Sequence, residues 1–254
     1  MTGARDAARE RLREWEAIQP GNFFSENEEL RRVLRRHWGD DRFESHAKLL
    51  RHFGRVVATE LDEAAEINNR EGNLPRVERW SSTGERIEDV EHHPSYDQCG
   101  KAIYEDGRVI AVYAEPGNNL LAQALFYISS HAGEAGHNCP VACTAGVVKA
   151  LGRAGSDGLR ERWLSGLLTD RYVDRLDGAQ FLTEVQGGSD VGANCVEAVA
   201  DGEGFGTTRW RISGEKWFCS NVHADLMLMT ARVSGAEMGT RGLGLFLVPR
   251  RLED

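Results

Sequence analysis

With 254 residues, 41% of them hydrophobic and 28% charged, the chain can build one large domain or two ordinary ones and is too apolar for a disordered polymer. A net charge of −9 argues against a nucleic-acid surface spread over this segment. No stretch approaches the roughly 18 apolar residues of a bilayer-spanning helix, so no membrane partner is expected.

The N-terminal run "MTGARDAARERLREWEA" is dense in charge and lacks the apolar centre of a secretory signal. Cysteines 99, 139, 143, 195 and 219 form no paired framework, so they read as reduced thiols of a cytoplasmic protein. The first two-thirds of the chain is helical in pattern. Glu26 to Trp38 and Arg42 to Ile67 carry apolar residues at helical intervals, among them Leu49, Leu50, Phe53, Val56, Val57 and Leu61. Arg31-Arg32 with Arg35-Arg36 has the spacing of a solvated helix face. The segment "NREGNLPRVERWSSTGERI", broken by Gly72, Pro75 and Gly84, reads as an extended connector with turns. Helical pattern returns at Leu120 to His131, Val141 to Leu151 and Gly158 to Leu168.

After Asp177-Gly178 the hydrophobic period changes from about 3.6 to about 2. Six short strands are expected: Ala179 to Thr183, Asn194 to Ala200, Thr207 to Ile212, Glu215 to Cys219, Leu226 to Val233 and Leu243 to Val248. Asp201 to Gly204 and Ser213 to Glu215 supply hairpin-turn residues. The expected fold class is therefore α+β. An all-α helical domain, 1–178, precedes a small antiparallel β-domain, 179–254, an incomplete barrel or sandwich.

Two stretches carry chemistry. In "TEVQGGSD" (183–190), consecutive glycines bare their backbone amides, and Ser189 adds a donor suited to phosphate. No helix follows and no P-loop Lys is present, so an ordinary glycine-rich turn competes evenly with a ligand loop. In "GEKWFCSN" (214–221), Lys216 starts the expected strand, Trp217 and Phe218 face opposite sides, and Ser220 and Asn221 put polar groups at its end. An aromatic beside a hydroxyl suits a flat redox-active ring, although a core Trp before a Ser-Asn turn explains that stretch alone.

Together, in this order and at this separation, the two stretches resemble the acyl-CoA dehydrogenase family of flavoproteins. That family carries Thr-Glu-x-x-x-Gly-Ser-Asp and then Gly-x-Lys-x-(aromatic)-x-(Ser/Thr)-Asn, met here by Thr183-Glu184, Gly188-Ser189-Asp190, Gly214, Lys216, Phe218, Ser220 and Asn221. "RWSSTGERIEDVEHHPSYDQ", "GHNCPVACT", "LLTDRYVDRL" and "LGLFLVPR" are similar to its AidB-like branch, named for a bacterial alkylation-response protein.

The resemblance implies FAD, held by Phe181, Leu182, Thr183, Gly188, Ser189, Phe218, Cys219 and Ser220. Phe181 to Thr183 would meet the flavin ring, Gly188 and Ser189 the pyrophosphate, Phe218 one ring face and Ser220 the reactive N5. Phe218 stands where many relatives have Trp, and Cys219 beside it carries no chemical role of its own. Glu184 matches a structural position of the loop, and no catalytic acid or base is assigned.

"GHNCPVACT" would line the substrate cavity. Its Cys139 and Cys143 lack a second pair at ligand spacing, so no metal is expected. The implied activity is oxidation of an acyl thioester or related small molecule by hydride transfer to flavin N5. A flavin monooxygenase, or an FAD-bearing protein that protects DNA, shares the same framework. The family's C-terminal helical bundle is absent from the 254 residues, so a second polypeptide or cleaved fragment is expected to supply it, in a homo- or hetero-oligomer.

Overall fold

The computed structural model describes residues 2–251, with side chains from residue 5; Met1 and residues 252–254, the end of the expected second domain, lie outside the described residues. Helix α1 (Thr2–Ala17) leads to α2 (Glu28–Val56). Asn27 starts α2 by accepting the Leu30 N–H at 2.9 Å, and Glu28 and Glu29 occupy the first turn, where carboxylates favour the helix dipole. Gly39 takes φ 73° and kinks the helix, which is where the two expected helical stretches meet. A π-helical turn, Val57–Leu61, continues into α3 (Asp62–Asn68). Leu50, Phe53, Val56, Val57 and Leu61 are buried with Phe24, Phe43, Ile103 and Leu125 in the main core, as their spacing requires. Arg32 and Arg35 pair with Glu29 and Glu44 on the exposed side of α2.

The expected connector at 69–87 is corrected: it contains a β-hairpin, β1 (Arg76–Trp80) against β2 (Arg86–Glu91). Of these strand residues only Val90 is even half-buried, so no buried face imposes an alternating pattern on the sequence. Next come α4 (Pro94–Lys101), α5 (Asn119–Ser129), α6 (Asn138–Ala154) and α7 (Asp157–Leu167). The buried Glu134 carboxylate accepts the N–H groups of His137 and Asn138 where α6 begins. Among the described residues no helix is long and apolar enough to cross a membrane.

The α+β class holds, with helices before Gly178 and a five-stranded sheet after it. The strands are β3 (Gly178–Phe181), β4 (Glu197–Gly204), β5 (Thr207–Ser213), β6 (Leu226–Val233) and β7 (Leu243–Pro249). The sheet is mixed, which corrects the purely antiparallel expectation: β3 and β4 both run parallel to β6, while β5 and β7 are antiparallel to β4 and β6. Asp201 to Gly204 lies within β4, at a bulge opposite β5, and the turn falls at Phe205-Gly206. Glu215 to Cys219 forms no strand.

The β6 strand is the hub. β7 covers one of its edges from Leu226 to Arg232. On the other edge β3 pairs residues 226–229 and β4 takes over at 232. Between them the chain leaves the sheet at Leu182 and returns fifteen residues later, opening a notch at Thr230. Val147, Val148 and Leu151 of α6 and Leu167 of α7 pack on Leu226 and Leu228, which fastens the helices to the sheet beside that notch.

Candidate functional site

The notch is filled by polar side chains, and every one is satisfied. Lys216 reaches in from 214–221 and donates to Glu184 Oε1 at 2.8 Å, Thr230 Oγ1 at 3.2 Å and the Leu182 carbonyl at 3.3 Å. Three acceptors match the three protons of an ammonium. The Lys216 and Glu184 side chains are each 5% exposed. Asn194, fully buried, donates to the Leu182 carbonyl at 2.8 Å and to Thr230 Oγ1 at 3.2 Å. Glu184 also accepts the N–H groups of Cys195 and Val196. Burial alone would raise the Glu184 carboxyl, but the Lys216 ammonium and these two amides outweigh it and hold it below the usual carboxylate range.

This network joins the two sequence stretches. The Trp217 N–H donates to the Thr183 carbonyl at 2.9 Å, fixing one loop against the other. Lys216 therefore starts no strand. Its side chain points into the notch, and the following residues turn away through left-handed backbone at Phe218 (φ 55°) and Asn221 (φ 57°). Asn221 secures the far end of the turn by donating to the Gly178 carbonyl at 3.1 Å. Trp217 and Phe218, expected on opposite faces of a strand, are both solvent-facing on this loop.

The expected site residues fall into two groups. Phe181 is buried with Ala179 and Ala224, so its ring belongs to the interior and only its backbone is near the loop. Leu182 and Thr183 follow it at the strand end, partly open to solvent. Gly188 and Ser189 are exposed, and a Cβ on Gly188 would come within 2.9 Å of Thr183 Oγ1. Only glycine leaves that approach open. Phe218 is 79% exposed, and Val185, Trp217 and Val222 are also uncovered, so large apolar side chains face solvent around the polar notch. Ser220 is exposed beside them, while Cys219 is half-buried and its thiol is pushed up by burial, which keeps it protonated. Bare amides, a hydroxyl and uncovered aromatic faces can together receive a ligand that is anionic at one end and flat at the other. A dinucleotide carrying a planar ring fits that description, and the residues present fit FAD.

Glu184 has the structural place expected of it. Lys216 as the tie, and Asn194 and Thr230 as its supports, were not found from sequence. Lys216 stands inside the second motif, whereas Asn194 and Thr230 carry no local signal. In "GHNCPVACT", His137 is fully buried with its Nε2 2.8 Å from the Tyr96 carbonyl. Cys139 is exposed, and the Cys143 thiol is pushed up to about 11, chiefly by burial. Among the described residues no group of three His, Cys, Asp or Glu side chains is arranged to hold a metal.

Residues 14–174 match the family model described as the adaptive response protein AidB N-terminal domain, and residues 179–254 match the acyl-CoA dehydrogenase middle domain. The chain is 29% identical over 219 residues to the putative acyl-CoA dehydrogenase AidB of Escherichia coli, covering 82% of this chain and 38% of that protein. It is 28% identical over 250 residues to acyl-CoA dehydrogenase family member 11 of Caenorhabditis elegans, covering 91% of this chain and 38% of that protein. The solved structure of Caenorhabditis elegans ACDH-11 in complex with C11-CoA superposes with a TM-score of 0.76 at 28% identity, over 92% of this chain and 41% of that one. The chain thus spans about two-fifths of the length of the curated relatives it matches.

Proposed function

The chain belongs to the acyl-CoA dehydrogenase family, and from that premise we propose that it is the N-terminal and middle part of an FAD-dependent oxidoreductase acting on an acyl thioester or a closely related small molecule. The observation that carries this reading is the pairing of loops 183–190 and 214–221. They are tied through Lys216 and Glu184, and they leave the Gly188 amide bare and Phe218 uncovered. In this reading Gly188 and Ser189 receive the pyrophosphate of FAD, and Leu182 and Thr183 border the ring. Phe218 covers one ring face, with Cys219 and Ser220 beside it. Bound FAD would supply hydride acceptance at its N5. The chain's own residues bind, orient and shield; none is assigned as the catalytic acid or base.

The division at residue 178 is part of the same proposal. It is supported by the mixed sheet, whose first strand begins at Gly178. The remaining helical wall would come from further polypeptide, in the same or a second chain, within a cytoplasmic oligomer. The C11-CoA held in the ACDH-11 complex supports an acyl thioester as substrate class.

The test is intact mass and visible spectrum of the protein as purified from its source, followed by acyl-CoA oxidation with an artificial electron acceptor. Bound flavin and turnover are expected. The double variant Gly188→Val with Ser189→Ala should lose flavin while its fold, read by far-UV circular dichroism, survives. A colourless protein that takes up no added FAD ends the proposal. Flavin that ignores acyl-CoA but, once reduced, reacts rapidly with oxygen moves the reading to a monooxygenase.

A further inference from the structure

Every residue from Arg5 to Gln19, which takes in most of α1, is exposed. Leu12 is 61%, Trp15 59% and Ile18 76% exposed. A lone helix of 16 residues is marginal in water, because nucleation is costly and propagation gains little per residue. Helices of this kind are held by burying a stripe. The α1 stripe is Ala8, Leu12 and Trp15, at the alternating four- and three-residue spacing of a two-helix seam.

The polar face narrows what can cover it. Arg5, Arg9, Arg11 and Arg13 are matched by Asp6, Glu10, Glu14 and Glu16. A charge-neutral face has no preference for an anionic lipid surface or for nucleic acid. It suits a partner with the same mixed pattern. Arg9 and Glu16 lie one heptad apart on the same flank of the stripe, at positions that face their own kind when two helices pair antiparallel. A two-fold axis near residue 13 then sets Arg9 of each copy against Glu16 of the other, and Leu12 against Trp15. Such a contact is self-complementary, as a two-fold interface must be.

We propose that α1 is a self-association element, pairing antiparallel with α1 of a second copy through Ala8, Leu12 and Trp15 and two reciprocal Arg9–Glu16 pairs. The family match begins at residue 14, so most of this helix lies outside it, and the proposal stands independently of flavin binding. A seam of two short helices is small against the area of a standard interface, so it is a modest, concentration-dependent contact.

The test measures assembly mass of the full protein, with whatever co-purifies, across a dilution series by light scattering. Leu12→Glu with Trp15→Glu should weaken assembly by about tenfold or more while leaving the melting of the remainder unchanged. Arg9→Glu alone should weaken it by about fivefold, since both reciprocal pairs become repulsive, and adding Glu16→Arg should restore it. Mass that does not respond to the double glutamate variant overturns the proposal. So does an Arg9→Glu variant that assembles as before, because a parallel pair would set no Arg9 against Glu16. Loss of a different polypeptide, or of binding to anionic vesicles, in place of loss of the second copy overturns it as well.

Discussion

Lys216 and Glu184 form the ion pair that ties the two loops of the candidate site, beside the Trp217 to Thr183 backbone bond. Their side chains are 5% exposed, so the pair is buried and its removal is asymmetric. Lys216→Met leaves a carboxylate inside the protein with only two amides to hold it, and the expected destabilisation is about 3–5 kcal/mol. Adding Glu184→Gln removes the stranded charge but keeps an oxygen for only one of the Cys195 and Val196 amides, which donate to different carboxylate oxygens. The double variant should therefore recover part of that loss. Urea unfolding of the two variants beside the parent decides it, and a single-variant loss under about 1 kcal/mol would mean the pair is solvated and the tie imaginary. The residue scale also marks what sequence could deliver. Gly188, Ser189 and Phe218 were singled out by a spaced motif, and all three are exposed. Asn194 and Thr230 were not singled out, because their role exists only once β3 and β4 have left a notch along β6.

At the scale of elements, periodicity served wherever one face is buried. The stretch from Leu50 to Leu61 is helical and interior as its spacing requires, and the break between the two expected helices became the kink at Gly39. Composition misled at Glu215 to Cys219, where the adjacent rings of Trp217 and Phe218 imitate a strand although Lys216 is spent on the notch. Periodicity was silent at β1 and β2, whose residues are almost all exposed. Parallel against antiparallel pairing in the sheet was equally hidden, since β6 takes partners from residues before and after it. Hydrogen exchange separates these cases. Amides of β6, with partners on both edges, should be the slowest in the sheet. Those of 215–221 should exchange far faster, apart from Trp217, whose N–H is held by the Thr183 carbonyl. Uniform protection across 215–221 would restore the strand.

Across the whole molecule, the helices and the sheet are joined by a buried aromatic and ionic seam whose behaviour with pH follows from its geometry. The Tyr104 hydroxyl donates to Asp177 at 2.9 Å, Arg175 pairs with the same carboxylate at 3.2 Å, and the guanidinium lies 3.9 Å over the Tyr172 ring. Tyr172 in turn donates to Asp97 at 2.9 Å, and the Asp177 N–H donates to Asp225 at 2.8 Å. His137 is enclosed here, with its ring 3.9 Å from that of Tyr96 and its Nδ1 buried without a partner. Burial, with the nearby charge of Arg175, His92 and His223, lowers its pKa from 6.5 to about 3 against the opposing pull of the Tyr96 carbonyl. An imidazole that stays neutral when folded but titrates normally when unfolded contributes stability that is complete above pH 6.5. That contribution is lost as pH falls, at up to about 1.4 kcal/mol per unit, until the folded pKa is reached. His92 and His223 are lowered mainly by burial and act in the same direction. Glu134 is raised by burial in spite of the amides it accepts, so it opposes them only near and above pH 4.5. The urea midpoint should therefore fall steadily from about pH 6.5 to 5. His137→Gln, which leaves the backbone amides on Glu134 in place, should be less stable at pH 7.5 but shallower in slope over that window. If the two slopes coincide, the imidazole is reached by solvent and the seam is open where the structure has it closed.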